Sequence, residues 1–193
     1  MKKLSTTAKV WIGIGIALVL ILLWVAGSYN GLVKADETTS EKWANVQSAY
    51  QRRADLIPNL VETVKQYASH EEGVLTAVTE ARASIMKAST PAQLQAADNQ
   101  LAGALKTLFA VSENYPNLKA NENFLSLQDE LAGTENRIKT ERDIYNAAVK
   151  DFNIKVRRFP TAIIAGMFGF DKREMFESQT GAENAPEVKQ LFE

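Results

Sequence analysis

The chain has 193 residues, of which 46% are hydrophobic and 23% are charged, proportions typical of one folded domain with room for an anchor. Its formal net charge is -1 and it contains no long run of lysine or arginine, which excludes the basic footprint of a nucleic-acid-binding protein. The lack of cysteine excludes disulfide bonds, iron–sulfur clusters, thiol catalysis and thiolate zinc sites.

Residues 10–29 form an uncharged apolar stretch near the N-terminus. A helix of this length rises about 30 Å, which matches the hydrocarbon core of a bilayer. Trp11, Trp24 and Tyr29 lie near its two ends, where aromatic rings favour the headgroup level. A cleaved signal peptide is the alternative, but its apolar region spans only about 7–15 residues before a small-residue cleavage site. The stretch therefore predicts an uncleaved transmembrane helix in contact with the lipid bilayer.

The charged residues on either side of this stretch predict its orientation. The basic flank, residues 1–9, carries three lysines, whereas Lys34 on the other side is followed by Asp36 and Glu37. An excess of lysine and arginine favours the cytoplasmic side of a membrane. We therefore expect a single-pass protein with most of its chain outside the cytoplasm.

Beyond the stretch, apolar residues recur every seven positions in two rows, which indicates helices rather than strands. The first row is Trp43, Tyr50, Ile57, Val64, Glu71, Val78 and Ile85, and the second is Val46, Arg53, Leu60, Tyr67, Val74, Ala81 and Ala88. Both rows keep their phase across Pro58 and Gly73, so we predict one long helix over residues 30–88 with a kink at residues 56–58. An antiparallel hairpin at Gly73 would keep this phase only by coincidence. A helix start at Asp55, with Pro58 in the first turn, is the alternative.

A second helix is predicted from its capping residues. Thr90 supplies a capping hydroxyl and Pro91 follows at the first helical position. The apolar spacing then continues to about Glu113. Residues 114–117 contain Pro116 and form a tight connector, because the residue before a proline avoids helical geometry.

The third predicted helix begins at a cap formed by Asn121 and ends before Pro160. Its apolar row is Phe124, Leu131, Ile138, Tyr145, Phe152 and Phe159. The short connector predicts that this helix runs antiparallel to the second and beside the first. The fold class is therefore all-α: a transmembrane helix, an elongated antiparallel bundle of about three long helices over residues 30–160, and a short C-terminal helix.

Residues 161–178 begin with ten uncharged residues, too few to span a bilayer. A helix packed against the end of the bundle is our prediction, with an interfacial segment and a subunit contact as alternatives. Residues 179–193 form a polar tail, although its last six residues, 188–193, carry apolar groups suited to docking.

Three stretches of the chain carry distinctive motifs. They are W..V...YQRRADLIPNLVETVKQYASHEEGVL..V..AR over residues 43–82, YPNLKANENFLSLQDELAGTENRI over residues 115–138, and ERDIYNAAVKDFN with RRFP within residues 141–160. These motifs resemble those of the LemA family of bacterial membrane-anchored proteins. The resemblance covers essentially the whole chain. It implies one N-terminal transmembrane helix followed by a helical bundle, with no established enzymatic activity, in the bacterial inner membrane.

Polar residues around the two prolines within these motifs are the candidate interaction sites. They are Arg52, Arg53, Asp55 and Pro58 in the first motif and Tyr115, Pro116, Asn121 and Glu122 in the second. A structural interpretation is charge pairing between packed helices, in which Arg53 buries its stem and binds Glu122, Asp129 or Glu130. The functional interpretation makes the same residues a docking surface for a partner.

No chemical motif accompanies these residues. His70 is the only histidine, and its neighbours Glu71 and Glu72 do not share one helix face with it, so we predict no metal site. The sequence also lacks a nucleophile–base pair and a phosphate-binding glycine loop, so we predict no cofactor and no enzymatic activity.

These observations favour a membrane-anchored structural or scaffolding protein of the cell envelope that self-associates through its bundle. The alternative is a membrane-tethered adaptor that recruits an envelope protein, such as a protease or a sensor. The adaptor would use either the region of Arg52 and Arg53 or the C-terminal tail.

Overall fold

The computed structural model of the protein describes residues 6–177, and every regular element in that range is a helix. The helices are α1 (Thr6–Lys65), α2 (Glu72–Lys87), α3 (Pro91–Ser112), α4 (Pro116–Lys119), α5 (Glu122–Arg157) and α6 (Thr161–Phe168). The predicted all-α class is confirmed. The tail over residues 179–193 and the lysines at positions 2 and 3 lie outside the described residues.

Helix α1 contains both the apolar stretch and the first part of the predicted bundle, with no break between them. Among residues 6–177 it alone holds a segment long and apolar enough to cross a bilayer, and that segment is not buried by protein. This arrangement fits a single-pass membrane protein. Pro58 lies inside α1, so the alternative of a helix start at Asp55 is wrong.

The predicted single helix over residues 30–88 is also wrong, because residues 66–71 reverse the chain between α1 and α2. The carbonyl oxygen of Val64 accepts a hydrogen bond from the backbone N–H of Ala68 (2.9 Å), which closes the last turn of α1. Val64 and Val78 are two heptads apart in the sequence, and both are buried. The apolar row therefore keeps its phase across the reversal, so its spacing gives no sign of the break between α1 and α2.

Two later helix starts are where capping chemistry predicts them. Thr90 precedes Pro91 and accepts the backbone N–H of Gln93 at its Oγ1 atom (3.2 Å), which starts α3. Asn121 accepts the backbone N–H of Phe124 at its Oδ1 atom (3.0 Å), which starts α5. Both predicted caps are confirmed, and the connector between the two helices contains the single turn of α4.

The chain divides into two compact units, and α1 and α5 each contribute residues to both. Within the described residues, we call residues 6–49 and 138–173 the anchor unit, and residues 50–137 and 174–177 the bundle unit. In the bundle unit, α2 packs against α3, and the Phe109 and Phe124 rings (centroids 6.1 Å apart) join the end of α3 to the start of α5. The four long segments of this unit are the second part of α1, then α2, α3 and the first part of α5. They alternate in direction and are joined by short connections.

The core of the bundle unit is made by the predicted apolar rows. Its largest fully buried side chains include Tyr50, Ile57, Leu60, Val64, Val78, Leu101, Leu108, Leu118 and Phe124. Burial of one such aliphatic or aromatic side chain stabilises a fold by about 1.5–3 kcal/mol. The heptad spacing therefore describes the interior of this unit, where Tyr50, Ile57, Val64, Val78 and Ile85 of the first row are buried.

In the anchor unit, α5 lies antiparallel to α1. The rings of Trp43 on α1 and Tyr145 on α5 are 5.4 Å apart between centroids. Farther toward the N-terminus of α1, Leu32 packs with Ile164 of α6, and Val156 near the end of α5 packs against the same cluster. These contacts position the short helix α6 beside the C-terminal end of the apolar stretch of α1.

Helix α6 ends at Gly169, whose backbone conformation favours glycine. Gly169 has a φ of 74°, in the left-handed region that favours glycine. The backbone N–H of Phe170 then donates to the carbonyl oxygen of Ala165 (2.9 Å), as in a Schellman cap. The helix therefore occupies the first eight residues of the apolar segment, and residues 169–177 continue without helical structure.

Candidate functional site

The structure separates the eight candidate residues into three groups by exposure. Arg53 is buried, Tyr115 and Asn121 are half-buried, and the exposed ones are Arg52, Asp55, Pro58, Pro116 and Glu122. The two prolines belong to different helices of the bundle unit. The candidate residues are therefore distributed over several contacts rather than assembled into one pocket.

Arg53 forms a buried ion pair with Asp98 of α3. Its Nη1 atom lies 2.9 Å from Asp98 Oδ1, and Tyr50 donates its hydroxyl to Asp98 Oδ2 at 3.1 Å. Arg53 is only 4% exposed, and its Nε atom has no hydrogen-bond partner within residues 6–177. The expected partners on α5, Glu122, Asp129 and Glu130, are incorrect, because α3 rather than α5 presents a carboxylate to this position.

A second arginine repairs the hydrogen bond that Pro58 removes from α1. Proline has no backbone N–H, so the carbonyl oxygen four residues earlier, that of Ala54, loses its helical donor. Arg82 of α2 donates its Nε–H to this oxygen at 2.8 Å. The interior proline of α1 and the arginine of α2 therefore form one structural unit, in which a side chain replaces a backbone donor.

The end of the α1–α2 hairpin carries a third set of polar contacts. Tyr115 donates its hydroxyl to Glu71 Oε1 at 3.1 Å. This hydrogen bond raises the pKa of Tyr115 above its ordinary value of 10.0, with smaller contributions from desolvation and from the negative charge of Glu71. Asn121 donates its Nδ2–H to the Tyr67 hydroxyl at 3.0 Å. These contacts fasten the chain reversal to the connector that precedes α5.

Sequence reasoning missed the polar cluster around Arg173 in the anchor unit. The guanidinium of Arg173 donates to Asp36 Oδ1 (2.9 Å from Nε) and to Ser40 Oγ (3.0 Å from Nη2). The side-chain amide of Asn153 bonds both the N–H and the carbonyl oxygen of Arg173, each at 2.9 Å. These contacts attach the non-helical segment to α1 and α5. No local sequence pattern predicts these contacts, because Arg173 and Asp36 are distant in sequence.

The polar contacts described above join helices and segments of the chain to one another. No three His, Cys, Asp or Glu side chains between Thr6 and Glu177 are grouped to hold a metal ion. An open groove of about 420 Å³ lies between α2 and α3. Glycine, alanine and short polar side chains dominate its lining, which includes Gly73, Ala77, Gly103, Ala104 and Thr107.

Comparison with known proteins finds relatives that cover most of this chain. The magnetosome protein MamQ 2 of Paramagnetospirillum magneticum is 26% identical over 191 residues, covering 86% of this chain and 70% of that protein. The magnetosome protein MamQ of Magnetospirillum gryphiswaldense is 22% identical over 204 residues, covering 92% and 75% of the two chains. The protein LemA of Metamycoplasma hominis is 25% identical over 143 residues, covering 72% and 64%. A family model described as the LemA family matches residues 42–190, so the chain belongs to the LemA family.

Proposed function

We propose that this protein is a membrane-anchored scaffold of the bacterial envelope that associates with further copies of itself, with its bundle outside the cytoplasm. The observation that carries the proposal is the continuity of α1. One uninterrupted helix contains the exposed apolar stretch and the residues, from Tyr50 onward, that build the core of the bundle unit. A helix of this kind attaches a folded module to a membrane.

The polar groups inside the bundle unit support a structural role. Arg53, Asp98 and Tyr50 bond one another, and Arg82 bonds a backbone carbonyl oxygen. A catalytic site instead needs polar groups that converge on a substrate in a cleft. Arg53 and Arg82 of the first family motif thus act between helices.

The groove between α2 and α3 is the surface that we assign to self-association. Its small side chains allow a helix from a second copy to approach closely, as small residues do at other helix–helix contacts. Gly103 is exposed in this groove, and a Cβ atom added to it meets no atom within 4 Å. The Cβ atom of a larger side chain at this position therefore enters open space in the groove.

The test compares two glycine substitutions in the full-length protein, purified in mild detergent. Gly103→Leu should shift the protein toward the monomer in light scattering, because leucine occupies the groove. Gly133→Leu is the matched control, since Gly133 is also an exposed helical glycine with open space around its Cβ position. Wild-type protein that is monomeric at every concentration would refute self-association. An unchanged oligomer in Gly103→Leu would refute this groove as the contact.

A membrane-tethered adaptor is the second candidate function, and the exposure of Arg52 and Asp55 favours it over a purely internal role for the first motif. Crosslinking in intact cells should then yield a heterologous protein that is lost with Arg52→Glu and kept with Asn59→Ala, an exposed neighbour on α1. Protease digestion of intact cells tests the proposed orientation, because an extracytoplasmic bundle is cleaved without lysis.

A further inference from the structure

Helix α6 has one face against protein and one face that is exposed among the described residues 6–177. Ile164 and Ala165 are buried against Leu32 of α1. The opposite face presents Ile163, which is 54% exposed, and Met167, which is 72% exposed. Their spacing of four places them on the same side of the helix.

Two further large apolar side chains are exposed at the ends of α6. Phe159, two residues before the helix, is 78% exposed, and Phe168, whose ring meets that of Tyr29, is 53% exposed. Single exposed apolar residues are common on soluble proteins, whereas several large ones on one short segment mark a contact with a protein or a membrane. We call Ile163 and Met167 the outer face of α6.

The position of α6 along α1 indicates what covers this face. Its neighbours on α1 are Val25, Tyr29 and Leu32, and the Tyr29 and Phe168 rings are 4.8 Å apart between centroids. At a helical rise of about 1.5 Å per residue, Val25 lies about 6 Å inside the end of the apolar stretch and Leu32 about 4.5 Å beyond it. Helix α6 therefore lies beside the turns of α1 that cross the boundary between hydrocarbon and headgroups.

Charged residues on both sides of α6 suit this boundary. Lys155, Arg157 and Arg158 precede the helix and Lys172 follows it, and all four are exposed. Asp171 is the only acidic residue between positions 155 and 172. Lysine and arginine next to an apolar face attract the phosphates of anionic lipids, and they are typical of segments that lie in a membrane interface.

We infer that the outer face of α6 lies in the membrane interface, with its flanking basic residues at the lipid phosphates. The lipid bilayer is the occupant that the geometry favours, because α1 carries its own lipid-exposed surface to the same level of the anchor unit. This inference rests on the proposed membrane anchoring. It adds a second, peripheral contact that orients the anchor unit against the membrane surface.

The experiment uses the full chain in nanodiscs of three parts phosphatidylcholine to one part phosphatidylglycerol. Because the sequence contains no cysteine, single cysteines carry a fluorescent label at chosen positions without further changes. Met167→Cys reports on the outer face, Leu20→Cys on the apolar stretch of α1, and Asp143→Cys on an exposed position of α5 in the anchor unit. Nitroxide-labelled lipids quench labels in the bilayer, and iodide quenches labels in water.

We expect nitroxide lipids to quench the labels at Met167 and Leu20 and to spare the label at Asp143, with roughly half or more of the Met167 emission lost, as for an interfacial side chain. Iodide should quench the Asp143 label preferentially. Ile163→Cys repeats the measurement at a second position of the outer face, in case the helix is perturbed by labelling at Met167. Replacing Arg157 and Arg158 with glutamine, or omitting phosphatidylglycerol, should weaken the lipid quenching at Met167.

The controls separate the two proposals. A Leu20 label that nitroxide lipids do not quench refutes the membrane anchoring and the interfacial contact together. Quenching at Leu20 combined with iodide quenching at both Met167 and Ile163 refutes only the interfacial contact. Protection of both α6 labels from both quenchers also overturns it, because a protein surface would then cover the outer face. Lipid quenching at Met167 that is independent of charge overturns the assignment of the basic residues.

Discussion

Arg53 in the bundle unit and Arg173 in the anchor unit both pair with an aspartate, but they connect different kinds of structure. Arg53 joins α1 to α3 through Asp98, inside a regular array of helices. Arg173 belongs to a segment without secondary structure, which it attaches to α1 through Asp36. The first pair is nearly inaccessible, whereas about a third of each side chain in the second remains exposed.

This difference shows two uses of arginine in one all-helical chain. Within the bundle unit the guanidinium sits among apolar side chains, so the loss of its counter-charge carries a large desolvation penalty. At the anchor unit the same chemistry holds a segment that has no helical hydrogen bonds of its own, and water already solvates part of the pair. Substitutions in the bundle unit and in the anchor unit should therefore differ in the size of their effect on stability and in how far that effect extends through the structure.

The largest expected effect comes from Asp98→Ala. It leaves the Arg53 charge buried without a partner, which should lower the free energy of unfolding by about 3–5 kcal/mol. Thermal and urea unfolding of the full chain, followed by circular dichroism, measure this loss. Asp55→Ala is the control on the exposed side of α1 and should change stability by less than about 0.5 kcal/mol. Equal effects of the two substitutions would contradict the buried pair.

Arg82→Met tests whether an arginine in the bundle unit replaces a backbone donor. Loss of the bond to the Ala54 carbonyl oxygen should cost about 1–3 kcal/mol, because a buried acceptor is left unsatisfied. In a Pro58→Ala background the restored backbone N–H supplies that bond, so the cost of Arg82→Met should fall. A double-mutant cycle measures this coupling. Identical costs in the two backgrounds would show that Arg82 stabilises the protein in another way.

Asn153→Ala tests how the segment that contains Arg173 is attached to α5 in the anchor unit. It removes both hydrogen bonds to the backbone of Arg173, which should cost about 1–2 kcal/mol and should loosen residues 171–177 locally. Trypsin cleavage after Lys172 and Arg173 should accelerate by roughly 5–30-fold, as expected from such a free-energy change. Lys150→Ala, at an exposed position on α5, should leave the cleavage rate unchanged.

Asn121→Ala tests the cap of α5, where the effect should be smaller. Loss of the bond to the Phe124 N–H should cost about 1 kcal/mol in chemical unfolding. Asn121→Asp keeps a capping oxygen but loses the donor to the Tyr67 hydroxyl, so it should be less destabilising than alanine. Asn123→Ala, which is exposed in the first turn of α5, serves as the control. A larger loss in this control would contradict the cap.

The smallest effect is expected at high pH from the hydrogen bond of Tyr115. Its pKa is raised in the folded protein by the bond to Glu71, so the stabilisation is present in full below pH 10 and is lost as the pH rises through the raised pKa. Above pH 10, wild-type stability should fall more steeply than that of Tyr115→Phe, which has no group to ionise. Parallel unfolding profiles of the two proteins would contradict this assignment.

Local chemistry predicted the starts of α3 and α5, whereas the start of α2 and the pairing of residues distant in sequence did not follow from the sequence. The caps by Thr90 and Asn121 depend on neighbouring residues alone, and the structure has both. The reversal at residues 66–71 was hidden by two heptads of unchanged phase. Heptad spacing identifies which residues are buried, but it does not identify the helix that buries them.

The contacts of the candidate residues could be predicted from the sequence only in part, for the same reason. Burial of Arg53 follows from its place in an apolar row, but its pairing with Asp98 depends on which helix lies opposite. Arg82 had a usable signal, because an interior Pro58 always leaves one carbonyl oxygen in need of a donor. Arg173 had none, since its contacts with Asp36 and Asn153 bring together three separate parts of the chain.

The bond from Arg82 to the carbonyl oxygen of Ala54 also has a consequence for the order of folding. An isolated helix gains one backbone bond for each residue that it adds, but α1 gains none where Pro58 is added. The missing bond forms only after α2 has docked, so completion of this turn of α1 and closure of the hairpin become a single cooperative step. Hydrogen exchange of the amides around residue 58 therefore reports opening of the α1–α2 hairpin rather than fraying of α1 alone.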